Sequence, residues 1–199
     1  MNYLAHVFLS GNNEEIAVGN FIGDYVKGEK FKKYSESIKR GILLHRIIDQ
    51  YTDRNITVKK SKSLLKNKYG KYSGIIVDIF YDHFLAKNWH IFSSQSLKDF
   101  TQNFHKILCK YFEILPEEVK KFVPSFINNN WIETYKSVEG MEMVLKRMSD
   151  VTTLPDETDF AIKVLTSNYK EIENDFLDFF PELATYVTKK FNIPLPVVN

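Results

Sequence analysis

Two carboxylates and an imidazole stand close together in the string Asp78-Ile79-Phe80-Tyr81-Asp82-His83. If the string is helical, Asp78 and Asp82 fall one turn apart on the same stripe. Their neighbours there, Ile75, Ile79, Leu85, Ala86 and Trp89, are apolar, so the helix should be buried. An unpaired carboxylate in such a place costs on the order of several kcal/mol. A bound divalent cation would satisfy several carboxylates together. The competing reading is that each Asp pairs with a basic side chain or caps another helix. A second stripe, His45, Asp49 and Asp53, repeats every fourth residue. His and Asp at i, i+4 can aim at one ion, although an exposed polar face would look the same. Asp24 ends Gly19-Asn20-Phe21-Ile22-Gly23-Asp24, and His6 lies ahead of it in Asn2-Tyr3-Leu4-Ala5-His6. Arg46, beside the second stripe, could hold a phosphate oxygen or be an ordinary surface arginine.

A mixed Asp/His set suits Mn²⁺, with Mg²⁺ or Fe²⁺ as alternatives, better than structural Zn²⁺, which favours Cys. Such an ion polarises a phosphoryl oxygen and lowers the pKa of a bound water that can then attack it. The chain has no glycine-rich phosphate loop, no G-x-S-x-G elbow and no C-x-x-C pair.

The elements that must position these groups read as helices separated by short breaks. No segment sustains strand alternation. The expected helices span about 13–26, 35–53, 56–69 (closed by Gly70), 72–89 and 96–115, the last opened by the capping box Ser96-Leu97-Lys98-Asp99. Pro116 suits the first turn of the next helix, and Pro124 should kink or end it. Further helices are expected over about 131–149 and 156–190, the second broken near Pro181. The expected fold is therefore all-α: one domain over residues 1–192, a bundle of about seven to nine helices, and a loose tail at 193–199.

Composition agrees with a globular chain. It has 199 residues, 44% hydrophobic and 26% charged, enough length to bury a sizeable core. A single cysteine, Cys109, excludes an internal disulfide. With no signal peptide visible, a cytoplasmic location is expected. No apolar run approaches the roughly 20 residues of a membrane span. Net charge is only +2, but it is unevenly spread. Residues 54–71 carry Arg54, Lys59, Lys60, Lys62, Lys66, Lys68 and Lys71 and no acid, whereas residues 133–182 are acidic. The asymmetry suggests an acidic partner on the N-terminal half. A solvated lysine-rich helix is the plainer reading.

Taken together, Asn2-Tyr3-Leu4-Ala5-His6, Gly19 to Asp24, Gly41-Ile42-Leu43-Leu44-His45-Arg46-Ile47-Ile48-Asp49 and Asp78 to Leu85 resemble the acyl carrier protein phosphodiesterases. This family is an all-helical variant of the HD phosphohydrolases. The resemblance implies an HD-domain-like bundle and hydrolysis of the 4′-phosphopantetheine arm from holo-acyl carrier protein, assisted by a Mn²⁺-type ion. It implies Asp24, His45, Asp49, Asp82 and His83 as metal positions; Asp24, Asp49 and, from its place beside the second stripe, Arg46 are the expected catalytic groups. His6, Asn20, Asp78, Lys62 and Lys66 are then expected to face substrate or partner. The acidic carrier protein is the expected partner, with no nucleic acid and no membrane involved. Two alternatives stay open: an HD-type hydrolase of a small nucleotide or other phosphodiester, and a non-catalytic helical module that binds an acidic partner.

Overall fold

Short polar side chains begin most of the helices. Asn13, Ser35, Asn55, Ser96 and Ser137 each accept a hydrogen bond from a backbone N–H of the first turn that follows, satisfying donors that a helix leaves unpaired. The computed structural model describes residues 1–195. Among them it contains twelve α-helices and no strand. These are α1 (Tyr3–Phe8), α2 (Glu14–Phe21), α3 (Glu36–Arg54), α4 (Ile56–Tyr69), α5 (Ser73–Lys87), α6 (Trp89–Phe92), α7 (Leu97–Lys110), α8 (Glu117–Asn128), α9 (Trp131–Thr134), α10 (Val138–Val151), α11 (Thr158–Ser167) and α12 (Tyr169–Phe191). The fold is all-α and forms one domain around a continuous hydrophobic core.

Helix α5 runs through the centre. Eleven of its fifteen residues are buried, because it is apolar on nearly every side. Phenylalanines dominate what surrounds it: Phe104, Phe126, Phe176, Phe179 and Phe180 are all at most 1% exposed. α2 crosses α3 at very short range. Neither Gly19 nor Gly41 has room for a Cβ, which would fall on the carbonyl oxygens of Ile38 and Ile16 respectively. This crossing brings the α2 backbone against His45.

Several expected boundaries move. α2 stops at Phe21, and a 3-10 turn over Gly23–Tyr25 carries Asp24. Gly23 lies against the His45 ring, where any Cβ would overlap. Pro124 and Pro181 both sit inside continuous helices, α8 and α12. Each costs one hydrogen bond, and the packed apolar faces on either side keep the helix running. The break expected at Pro181 falls instead at Asn168, whose amide caps Val164 at 2.8 Å. α1, α6 and α9 span six, four and four residues, too short to show a periodicity. Ile193, in the expected tail, is buried against Gly11, while 196–199 lie outside the described residues.

Candidate metal centre

α1 and α3 each contribute one imidazole. His6 and His45 are 3% and 5% exposed, and their rings stack at 4.0 Å between centroids. The hydrogen bonds around them decide which nitrogen carries the proton. Asn20 spends its amide N–H groups on the His6 carbonyl at 2.6 Å and on Ser10 Oγ at 3.0 Å. Its Oδ1 must then accept from His6 Nδ1 at 2.8 Å. The main-chain oxygen of Asn20 accepts from His45 Nδ1, also at 2.8 Å. In both neutral rings, therefore, Nε2 is the unprotonated nitrogen.

These two lone pairs point at other acceptors. His6 Nε2 lies 3.2 Å from Asp49 Oδ1 and 3.1 Å from the Met1 carbonyl oxygen. His45 Nε2 lies 3.1 Å from Asp49 Oδ2 and 3.5 Å from Asp24 Oδ1. It is buried and has no aligned hydrogen-bond partner. Ligand atoms of His6, His45 and Asp49 all fall within 4.8 Å of one another. Lone pairs facing lone pairs in a buried place need a positive charge between them. His6, His45 and Asp49 thus form a group that could hold a divalent metal ion, with Asp24 beside it.

Without an ion, a proton must fill that role. Burial pulls the His45 pKa down, but the close carboxylates of Asp24 and Asp49 outweigh it and raise the ring to about 9. Burial likewise pushes the Asp49 carboxyl up, yet His45 and His6 together hold it well below the usual carboxylate range. His6 is lowered, first by burial and then by the positive His45 at its face. One proton shared by His45 and Asp49 is a stand-in that a metal would displace.

The carboxylates open onto a cleft of about 610 Å³ lined by Asp24, Asp49, Asp53 and, on the facing wall, Lys59, Lys62 and Lys66. α4 divides its lysines between two faces. Lys60 and Lys68 turn to the acidic C-terminal half, pairing with Glu171 at 2.8 Å and Glu157 at 3.2 Å. Lys59, Lys62 and Lys66 turn to the cleft. Of these, Lys62 pairs with Asp53 at 2.6 Å, which occupies Asp53 outside the cluster.

The remaining expected site residues lie elsewhere. Asp82, expected as a ligand, is completely buried at the N-terminus of α1. It accepts from the backbone N–H groups of Asn2, Leu4 and Ala5 at 3.2, 2.7 and 3.3 Å. Burial pushes its carboxyl up to about 7 against these donors. His83, also expected as a ligand, donates Nδ1–H to the Tyr135 carbonyl at 2.7 Å and accepts from the Tyr169 hydroxyl at 2.7 Å. Both nitrogens are occupied, so the structure does not bring Asp82 or His83 into the cluster. Arg46, expected at a phosphate, instead donates to the carbonyls of Val26 and Gly28 at 2.9 and 3.0 Å and stacks on Phe31 at 5.2 Å. It fastens the basic 27–34 turn to α3. Asp78 lies 2.8 Å from the Met1 amino group and lines the cleft. His6, expected toward substrate, lies instead within the group that could hold an ion. It sits on a six-residue helix with no carboxylate at helical spacing, so only the fold reveals its neighbours.

The protein is all-helical, with a buried group of two histidines and one carboxylate that could hold a divalent ion beneath a lysine-lined cleft. Residues 1–183 match the family described as acyl carrier protein phosphodiesterase, and the chain belongs to that family. Among its relatives, the acyl carrier protein phosphodiesterases of Serratia proteamaculans and Yersinia pestis are each 27% identical over 96% of this chain and 99% of their own. That of Photorhabdus laumondii is 28% identical over 96% of this chain and 94% of its own. No solved structure matches the chain. Among the described residues, no helix is long and apolar enough to cross a membrane.

Proposed function

We propose that this chain hydrolyses the phosphodiester joining 4′-phosphopantetheine to a serine of holo-acyl carrier protein, using a divalent ion, Mn²⁺ for preference, held by His6, His45 and Asp49 with Asp24 beside it. The observation that carries this reading is the convergence of the Nε2 atoms of His6 and His45 on the two oxygens of Asp49, at the floor of a basic cleft. The donor set fits such an ion, because imidazole and carboxylate together suit Mn²⁺ or Fe²⁺. The ion would supply Lewis-acid polarisation of the phosphoryl oxygen and a lowered pKa for water.

The chain's own groups do the rest. Asp24 stands exposed at the mouth of the cluster. Its carboxyl is held below the usual carboxylate range by the neighbouring His45 and opens onto the cleft, so it is ionised and placed to accept a proton from the attacking water. The oxygen of that water bonds to phosphorus, the bond from phosphorus to the serine oxygen breaks, and the proton taken up by Asp24 passes to the serine oxygen. The products are apo-carrier and 4′-phosphopantetheine. Lys59, Lys62 and Lys66 present positive charge to the acidic carrier across the cleft.

The test is mass spectrometry of holo-carrier incubated with purified protein. Conversion to apo-carrier should stop with chelator and return with Mn²⁺. Asp49→Asn should lower turnover by roughly a hundredfold or more while helicity stays. Full turnover in excess chelator would overturn the metal reading. Turnover of small phosphodiesters with no conversion of the carrier would favour a small-molecule hydrolase instead.

A further inference from the structure

A carboxamide has two N–H donors and one carbonyl acceptor, so fixing its donors fixes its acceptor. Asn20 is fully buried, and both its donors are committed, to the His6 carbonyl at 2.6 Å and to Ser10 Oγ at 3.0 Å. The Ser10 hydroxyl in turn donates to the same His6 carbonyl at 2.8 Å. No donor is left over to face His6 Nδ1, so the ring must donate to Oδ1. One peptide unit away, the main-chain oxygen of Asn20 accepts from the other imidazole. The glycine crossing of α2 on α3 lets that oxygen come so near.

We infer that Asn20 is a positioning residue that holds His6, by its side chain, and His45, by its main chain, in the same Nδ1–H tautomer, so that both Nε2 lone pairs are directed at one cation. The inference rests on the metal reading above and gives it a cause inside the protein. The sequence placed Asn20 toward substrate. The structure gives it no exposure through which a substrate could reach it, and two imidazoles instead. A second-shell partner of this kind sets ring orientation and ligand basicity. Ser10 belongs to the same arrangement, since it keeps the amide from flipping.

The experiment compares Mn²⁺ binding by calorimetry in the wild type, Asn20→Leu and Asn20→Asp, with unfolding measured in parallel. Asn20→Leu keeps the branched outline, though not the volume, and the main-chain oxygen, but removes the acceptor for His6 along with the two amide donors. It should weaken Mn²⁺ binding by about 10–100-fold. Asn20→Asp restores an acceptor and should recover most of the loss, even where its melting temperature stays low. Mn²⁺ affinity that follows stability alone across the two variants, with no recovery in Asn20→Asp, would overturn the inference.

A second measurement needs no variant. Nitrogen-15 NMR of the metal-free wild type, followed to alkaline pH until the imidazole shifts stop changing and both rings are neutral, reports the tautomers directly. Both rings should carry the proton on Nδ1. An Nε2–H tautomer in either ring would end the proposal. A wild type that binds no Mn²⁺ would remove the metal reading, while the tautomer result would still decide what Asn20 does.

Discussion

His83 has one nitrogen that donates and one that accepts, and only the neutral ring can do both. Burial lowers its pKa, so protonation favours the unfolded chain. Its contribution to stability is complete above the unfolded value of 6.5 and is lost as pH falls below it. Denaturant midpoints measured on both sides of that value should show the wild type weakening toward acid. His83→Gln should be less stable at neutral pH but show a smaller acid-side loss, and an unchanged pH slope would refute the assignment. Asp82 and His83 also show why two residues outside the cluster looked like ligands in the sequence. A carboxylate inside a greasy helix needs partners, and that much was legible. That its partners are three backbone N–H groups some 80 residues away has no signature in local spacing. The stripe of His45 and Asp49 was legible because both sit on one long helix, where i, i+4 geometry is fixed. Asp53 has the same spacing, yet a lysine on the neighbouring helix takes it.

At the scale of elements, the α2–α3 crossing sets the site. Gly41→Ala would push a methyl group into the carbonyl of Ile16. Separating the helices should cost roughly 1–3 kcal/mol, or about 2–4 °C in melting temperature for each kcal/mol in a chain of this size. It should also lengthen the His45–Asn20 hydrogen bond, so Mn²⁺ affinity should fall along with stability. Gly74→Ala is the control, since its added methyl meets only the flexible end of Lys62 at 3.3 Å. There the better helix propensity of alanine should leave stability equal or up to about 1 kcal/mol higher. Equal melting temperatures for Gly41→Ala and wild type would show that the crossing tolerates expansion. The long helices were readable from periodicity and caps. The single-turn helices and the prolines inside α8 and α12 were not, because tertiary packing overrides local preference there.

For the whole molecule, the two-faced use of α4 resolves the charge asymmetry seen in the chain. Acidic residues of the C-terminal half are partly engaged by Lys60, Lys68 and Lys87, which leaves the cleft face of α4 positive. Replacing Lys59 and Lys66 with alanine should therefore slow capture of an acidic carrier. kcat/KM should drop and depend less on salt, with kcat and Mn²⁺ binding unchanged. Stopped-flow capture at two ionic strengths checks this, and a salt slope equal to the wild type's would remove the basic wall from the docking account.

The clasp of Asp82 on the first turn of α1 also orders events in time. In a chain leaving the ribosome, those amide protons have only water to bond until α5 has emerged. His6 therefore reaches its place through a contact that spans some 80 residues of sequence, the kind that forms slowly. Newly made protein should gain its affinity for an ion only after α5 has docked on α1.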